Sequence, residues 1–71
     1  MNQDPSAFVM AIGTVGPALA IGIIGAAALM GMARNPDNSD RIQVSMIIAI
    51  AFAEAIAIYA LVTALILKFV K

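Results

Sequence analysis

Cysteine, histidine and tryptophan are absent from this 71-residue sequence, and it holds one tyrosine and only four basic and four acidic side chains. Without cysteine there is no disulfide or thiolate chemistry, and the redox compartment stays open. Without histidine as well, the usual zinc sites and Ser-His-Asp catalysis are excluded. The formal net charge is zero, which leaves no basic surface for nucleic acid and no acidic tail. No cofactor and no metal is expected, and the chain is read as non-enzymatic.

Apolar residues dominate instead, at 63% of the sequence. A chain this short makes one domain at most and cannot bury so much apolar surface in a core of its own, so lipid is its natural solvent. The leader MNQDPS contains Asp4 and no basic residue, and the apolar run after it, 7–33, far exceeds a signal-peptide core. The first run is therefore read as a retained membrane span. Asp4-Pro5 supplies its start, an acceptor for free N–H groups followed by a residue preset for the first helical turn. Residues 5–33 are assigned to helix one, 34–41 to a polar loop and 42–70 to helix two, all within a single unit, 1–71.

Helix one is rich in residues with little side chain. Ala18, Gly22 and Gly25 form one stripe, and Gly13, Gly16, Ala20, Ala27 and Gly31 another. In lipid such stripes mark helix–helix contact, because association depends on close backbone approach. Two stripes imply neighbours on two sides. Pro17 removes the bond to the Gly13 carbonyl, and a local bend is expected there. The stretch Arg34-Asn35-Pro36-Asp37-Asn38-Ser39-Asp40-Arg41 holds turn formers and half of the charged residues; so brief a connection makes the spans antiparallel. Arg34 and Arg41 on the loop side balance Lys68 and Lys71 on the other, so basic residues alone do not orient the hairpin.

Helix two carries the decisive residue. Within 47–67 the sole charge is Glu54, near the middle. An ionisable group at the bilayer centre costs about 2.5–3.5 kcal/mol on insertion scales, so it is paired, neutralised or used. The Ala/Ile alternation over 48–58 has a strand-like period, but two strands cannot close a barrel and open edges are not tolerated in lipid. On a helix, Glu54 shares a face with Ile50, Ala51, Ala57 and Ile58. No second acid and no Lys, Arg or His lies in either span. Desolvation favours the neutral acid, whereas a carboxylate needs a counter-charge from another protein. That difference makes a proton carrier.

The small-residue first helix, then Gly31-Met32-Ala33-Arg34-Asn35-Pro36, then Phe52-Ala53-Glu54-Ala55 followed by Tyr59, resembles the c subunit, or proteolipid, of F-type rotary ATP synthases. The resemblance covers nearly the whole chain. It implies an all-α membrane protein, a two-helix antiparallel transmembrane hairpin assembling into a homo-oligomeric ring with the Glu helices outside. By that resemblance Glu54 is the ion-carrying carboxylate, and Gly16, Ala18, Ala20 and Gly22 stand for an alternating glycine motif here half replaced by alanine, with Gly25 beside them. Arg34, Asn35, Pro36 and Asp37 would dock the central stalk, subunits gamma and epsilon, from the cytoplasmic side. A stator subunit a would supply an arginine and two half-channels. Protons would neutralise Glu54, let each copy turn into lipid, and leave after a near-complete turn.

Sodium-type relatives place a Gln on helix one and a Ser after the Glu; the matching positions are Ile21 and Ala55, so both oxygens are missing. A bare Na⁺ needs several oxygen ligands, while a protonated carboxyl needs one acceptor for its O–H. In similar proton-type members that acceptor is the backbone carbonyl two residues before the Glu on a neighbouring copy, here Phe52, and a Tyr five residues on caps the site, here Tyr59. Tyr59 lies about 140° around the helix from Glu54, which leaves two readings open, help from an adjacent copy or a simple interface aromatic. Proton transport is favoured over the sodium alternative. A holin-like pore-forming hairpin gives no reason for a midplane acid, and a purely structural packing subunit leaves Glu54 as a cost. A multi-pass protein of a bacterial plasma membrane is expected, since no transit peptide is recognisable.

Overall fold

The computed structural model describes residues 4–70; Met1 to Gln3 and Lys71, including the Lys71 charge weighed for orientation, lie outside the described residues. Helix α1 spans Pro5–Arg34, a single turn of 3-10 helix spans Pro36–Asn38, and helix α2 spans Ser39–Phe69. The chain is a two-helix hairpin, a flat plate of 54 × 21 × 8 Å. Both long helices are long and apolar enough to cross a membrane.

The start of α1 follows from its sequence. The Asp4 carboxylate accepts from the Ser6 N–H at 3.0 Å and from the Ser6 hydroxyl at 2.7 Å, and Pro5 occupies the first turn. The α1 helix runs unbroken through Pro17, which is buried against α2. A neighbouring helix shields the backbone where Pro17 cannot donate, which is how membrane helices tolerate proline. At the other end Asn35 leaves the helical region (φ −133°), and its N–H closes on the Gly31 carbonyl at 2.9 Å.

The connection is tighter than the 34–41 loop read from composition. Pro36 sets the 3-10 turn, Asn38 N–H bonds to the Asn35 carbonyl at 3.0 Å, and α2 is already helical at Ser39 rather than at residue 42. Asp40 lies in the first turn of α2, Lys68 in its last turn and Arg34 in the last turn of α1. Each complements the partial charge of its helix end, so these polar residues extend the helices where the composition reads as loop. At the far end α2 stops at Phe69, with Val70 as its cap.

The two helices meet along a narrow seam. On α1 the buried and half-buried positions include Ser6, Gly13, Pro17, Ile24, Ala28 and Gly31; on α2 they include Ile42, Met46, Ala53, Ala57, Ala60 and Ala64. Successive members are three, four or seven residues apart, the spacing of one helix face. Of the described apolar side chains only Pro17, Ala28, Ala53 and Ala64 are buried, none of the large ones fully, while Phe8, Val15, Leu19, Ile23, Phe52, Ile58 and Tyr59 are exposed. A chain with so thin a core and so wide an apolar surface is stable only where lipid or further copies cover it.

Candidate functional site

Glu54 sits midway between Ser39 and Phe69, the two ends of α2. Its neighbour Ala53 is 5% exposed and packs in the seam, whereas Glu54 itself is exposed on a flank of the plate. A Cβ placed on Gly13 would meet Ala60, and one on Gly31 would meet Ile42. These contacts hold one register from end to end, which puts Leu19, an apolar residue, level with Glu54. The helices bring no charged partner to it: the remaining charged residues among those described, Asp4, Arg34, Asp37, Asp40, Arg41 and Lys68, are all at helix ends or in the turn.

At about 100° per residue, Glu54 lies about 90° around α2 from the Ala53–Ala64 seam in one direction, and Phe52 and Tyr59 lie about 110–130° around in the other. The single hairpin therefore does not bring Glu54, Phe52 and Tyr59 together. It presents the acid on one edge and the two aromatics on the opposite edge, with Phe52 70% and Tyr59 77% exposed. Tyr59 lines an apolar hollow of about 250 Å³ with Ala55, Ile58 and Val62. Thr63, one turn beyond, donates its hydroxyl to the Tyr59 carbonyl at 2.9 Å, and on α1 Thr14 donates to the Met10 carbonyl at 2.6 Å. Each hydroxyl is satisfied inside its own helix. Among the described residues no three His, Cys, Asp or Glu side chains cluster as a metal site would need.

The small residues of α1 divide by face. Gly16, Ala18 and Gly22 are exposed, Ala20 and Gly25 half-buried, and a Cβ built on Gly16, Gly22 or Gly25 would meet nothing within 4 Å. None of these three glycines is needed by the hairpin itself. The glycine that is needed is Gly13, where a Cβ would stand 2.7 Å from that of Ala60; at Gly31 the nearest atom, Ile42 Cδ1, is 3.4 Å away. The Ala53, Ala57, Ala60, Ala64 seam on α2 was not singled out from the sequence, although its spacing of four, three and four residues is visible there.

At the turn, Arg34 ends α1, Asn35 caps it, and Pro36 and Asp37 open the 3-10 turn; all four are exposed. At the opposite end, the Ser6 hydroxyl and N–H hold the Asp4 carboxyl below its ordinary range, with a further contribution from the positive charge of Lys68.

The model of the family described as the ATP synthase C subunit matches residues 6–67. An ATP synthase c subunit of Dehalococcoides mccartyi is 46% identical over 61 residues, covering 86% of this chain and 80% of that protein. A protein of the same name from a Synechococcus species is 42% identical over 64 residues, covering 90% and 79%. Another, from Chloroflexus aurantiacus, is 39% identical over 69 residues, covering 97% and 91%.

Proposed function

The chain belongs to the ATP synthase C subunit family, and from that premise we propose that it is the proton-carrying member of a rotor ring in which Glu54 is the carrier. Proteins of this family are membrane rotor components and not the catalytic part of the synthase. The observation that carries the proton assignment is the position of Glu54: the one ionisable carboxyl inside either span, midway along α2, exposed on a flank with no charged partner in its own chain.

Such a group works by exchanging charge for neutrality. Protonated, it enters lipid at modest cost; ionised, it is held only opposite a positive group. The arginine of a stator subunit a supplies that group, and stepwise protonation and release turn the ring. The division of flanks supports copy-to-copy completion of the site, because the edge bearing Glu54 on one hairpin meets the edge bearing Phe52 and Tyr59 on the next. There the Phe52 carbonyl accepts from the protonated Glu54, and Tyr59 covers it. Gly16, Ala18 and Gly22 let adjacent α1 helices approach closely, with Ala20 and Gly25 beside them. Arg34, Asn35, Pro36 and Asp37 face the central stalk, gamma and epsilon, on the cytoplasmic side of a bacterial plasma membrane. The apolar residues around Glu54, Ala55 and Ile58 among them, offer no side-chain oxygen for Na⁺.

The test is intact mass after dicyclohexylcarbodiimide treatment of the solubilised assembly, across pH, with and without Na⁺. The reagent attacks protonated carboxyls in apolar surroundings. One adduct per chain at Glu54, persisting near neutral pH and indifferent to Na⁺, is expected. Protection by Na⁺ would replace the proton by sodium, and a Glu54 that never reacts would refute the carrier role.

A further inference from the structure

We propose that the open end of the hairpin, opposite the turn, binds the headgroup of an aminophospholipid, phosphatidylethanolamine, in a hollow shared by the two helices. Asp4 and Ser6 line this hollow from the start of α1 and Lys68 lines it from the last turn of α2, with Met10, Leu61 and Leu65 among the apolar residues nearer the middle of the spans. Its volume is about 260 Å³. Asp4 and Lys68 are both exposed, so an acid and a base from different helices face one open space above an apolar lining. The inference rests on the membrane spans and not on the ring.

Depth decides what this hollow meets. At 1.5 Å per residue, Lys68 stands about 21 Å along α2 from Glu54. With Glu54 at the midplane, half of the hydrocarbon reaches about 15 Å and half of the bilayer with its headgroups about 20–22 Å. Lys68, and Asp4 across from it, therefore lie among headgroups, while Leu61, about 10 Å from Glu54, lies among acyl chains.

The charges decide which lipid fits. Ser6 donates its N–H and its hydroxyl to the same oxygen of Asp4, Oδ1. A carboxylate has about four acceptor sites, so capacity remains. Lys68 acts on that carboxyl through its charge rather than through a hydrogen bond, which leaves its ammonium donors for another group. An anionic headgroup would satisfy Lys68 but face the carboxylate of Asp4, and a plain cation would do the reverse. A headgroup with a phosphate and a primary ammonium satisfies both, the phosphate accepting from Lys68 and the ammonium donating to Asp4. A choline headgroup carries the same two charges but no N–H, so it lacks the bond to Asp4.

Native mass spectrometry of the solubilised assembly tests this, with phosphatidylethanolamine, phosphatidylcholine and phosphatidylglycerol of identical acyl chains added in turn. Phosphatidylethanolamine is expected to be retained about two- to fivefold better than either other lipid, the range an exposed charge pair supplies. Asp4→Asn, which caps a helix as well as Asp does, should abolish the preference over the choline lipid, and Lys68→Gln should lower retention of all three. In bilayers, a dipolar contact between the lipid phosphorus and an isotope-labelled lysine nitrogen should appear in the wild type and vanish in Lys68→Gln, a readout that does not depend on survival in detergent. Equal retention of the three lipids, or a preference that Asp4→Asn leaves untouched, would overturn the site and give the hollow to protein. Tightest retention of phosphatidylglycerol would overturn it too, leaving Lys68 as a lone cation on acidic headgroups. A Glu54 that never reacts with carbodiimide would refute the carrier role without touching these outcomes, so the two readings fail separately.

Discussion

Adding one methyl group at Gly13 tests the seam directly. A Cβ there would stand 2.7 Å from the Cβ of Ala60, against about 3.5–4.0 Å for carbon atoms in contact. The shortfall is about 1 Å, and the obstructing atom is fixed to the α2 backbone rather than at the end of a flexible side chain. The helices must therefore move apart or slide, and overpacking of this kind costs about 1–3 kcal/mol. Replacing glycine by alanine inside a helix returns up to about 1 kcal/mol of helix propensity. Gly13→Ala is thus expected to weaken helix–helix association in the hairpin by about 1–2 kcal/mol. Removing the opposing methyl with Ala60→Gly should restore the spacing, so the double variant should regain most of the loss. Fluorescence energy transfer between labels at the turn and at the free ends, followed through a denaturing-detergent titration of the solubilised single chain, reads that association. A Gly13→Ala hairpin as stable as the parent, or a double variant no better than the single, would refute the seam as described.

The flanking glycines should behave in the opposite way. Gly22 is exposed and a Cβ there meets nothing within 4 Å, so Gly22→Leu should leave the hairpin no less stable while the ring fails to assemble or dissociates far more readily on a native gel; an intact ring would contradict the role given to that face. At the membrane boundary, Asp4 is held below its ordinary range by Ser6 and, more weakly, by Lys68. A carboxyl lowered in the folded state adds stability above its unfolded value, and this is lost as pH falls through the folded value. Amide protection in the first turn of α1, taken relative to the intrinsic exchange rate at each pH, should therefore fall below about pH 4. Asp4→Asn, also a good cap, should keep protection but lose the pH dependence, whereas Asp4→Ala should lose protection at every pH.

Much of this molecule is legible along the chain. The spans follow from long apolar runs, the first free of charge and the second holding Glu54 alone. The start of α1 follows from Asp4-Pro5, and Glu54 stands out because lipid penalises any ionisable group at that depth. The turn was less legible. Ser39, Asp40 and Arg41 read as loop on composition, yet they open α2, because an acid in a first helical turn stabilises the helix and Pro36 compresses the connection into one 3-10 turn. The assignment of faces could not be read at all. Both helices are apolar nearly all round, so no polar stripe marks which side of either meets the other. Gly13 and Gly22 each stand in a stripe of small residues that looks like the other, but only Gly13 lies under Ala60.

The bilayer acts on each residue separately, through its depth and its charge, and for that reason the linear order was enough to establish two spans, a polar turn and one carboxyl at the centre. Which glycines close the hairpin, and which edge carries Glu54 opposite Phe52 and Tyr59, depends on the rotation and register of α1 against α2. That is a property of two packed surfaces, set where Gly13 meets Ala60 and Gly31 meets Ile42, and only the tertiary structure decides it.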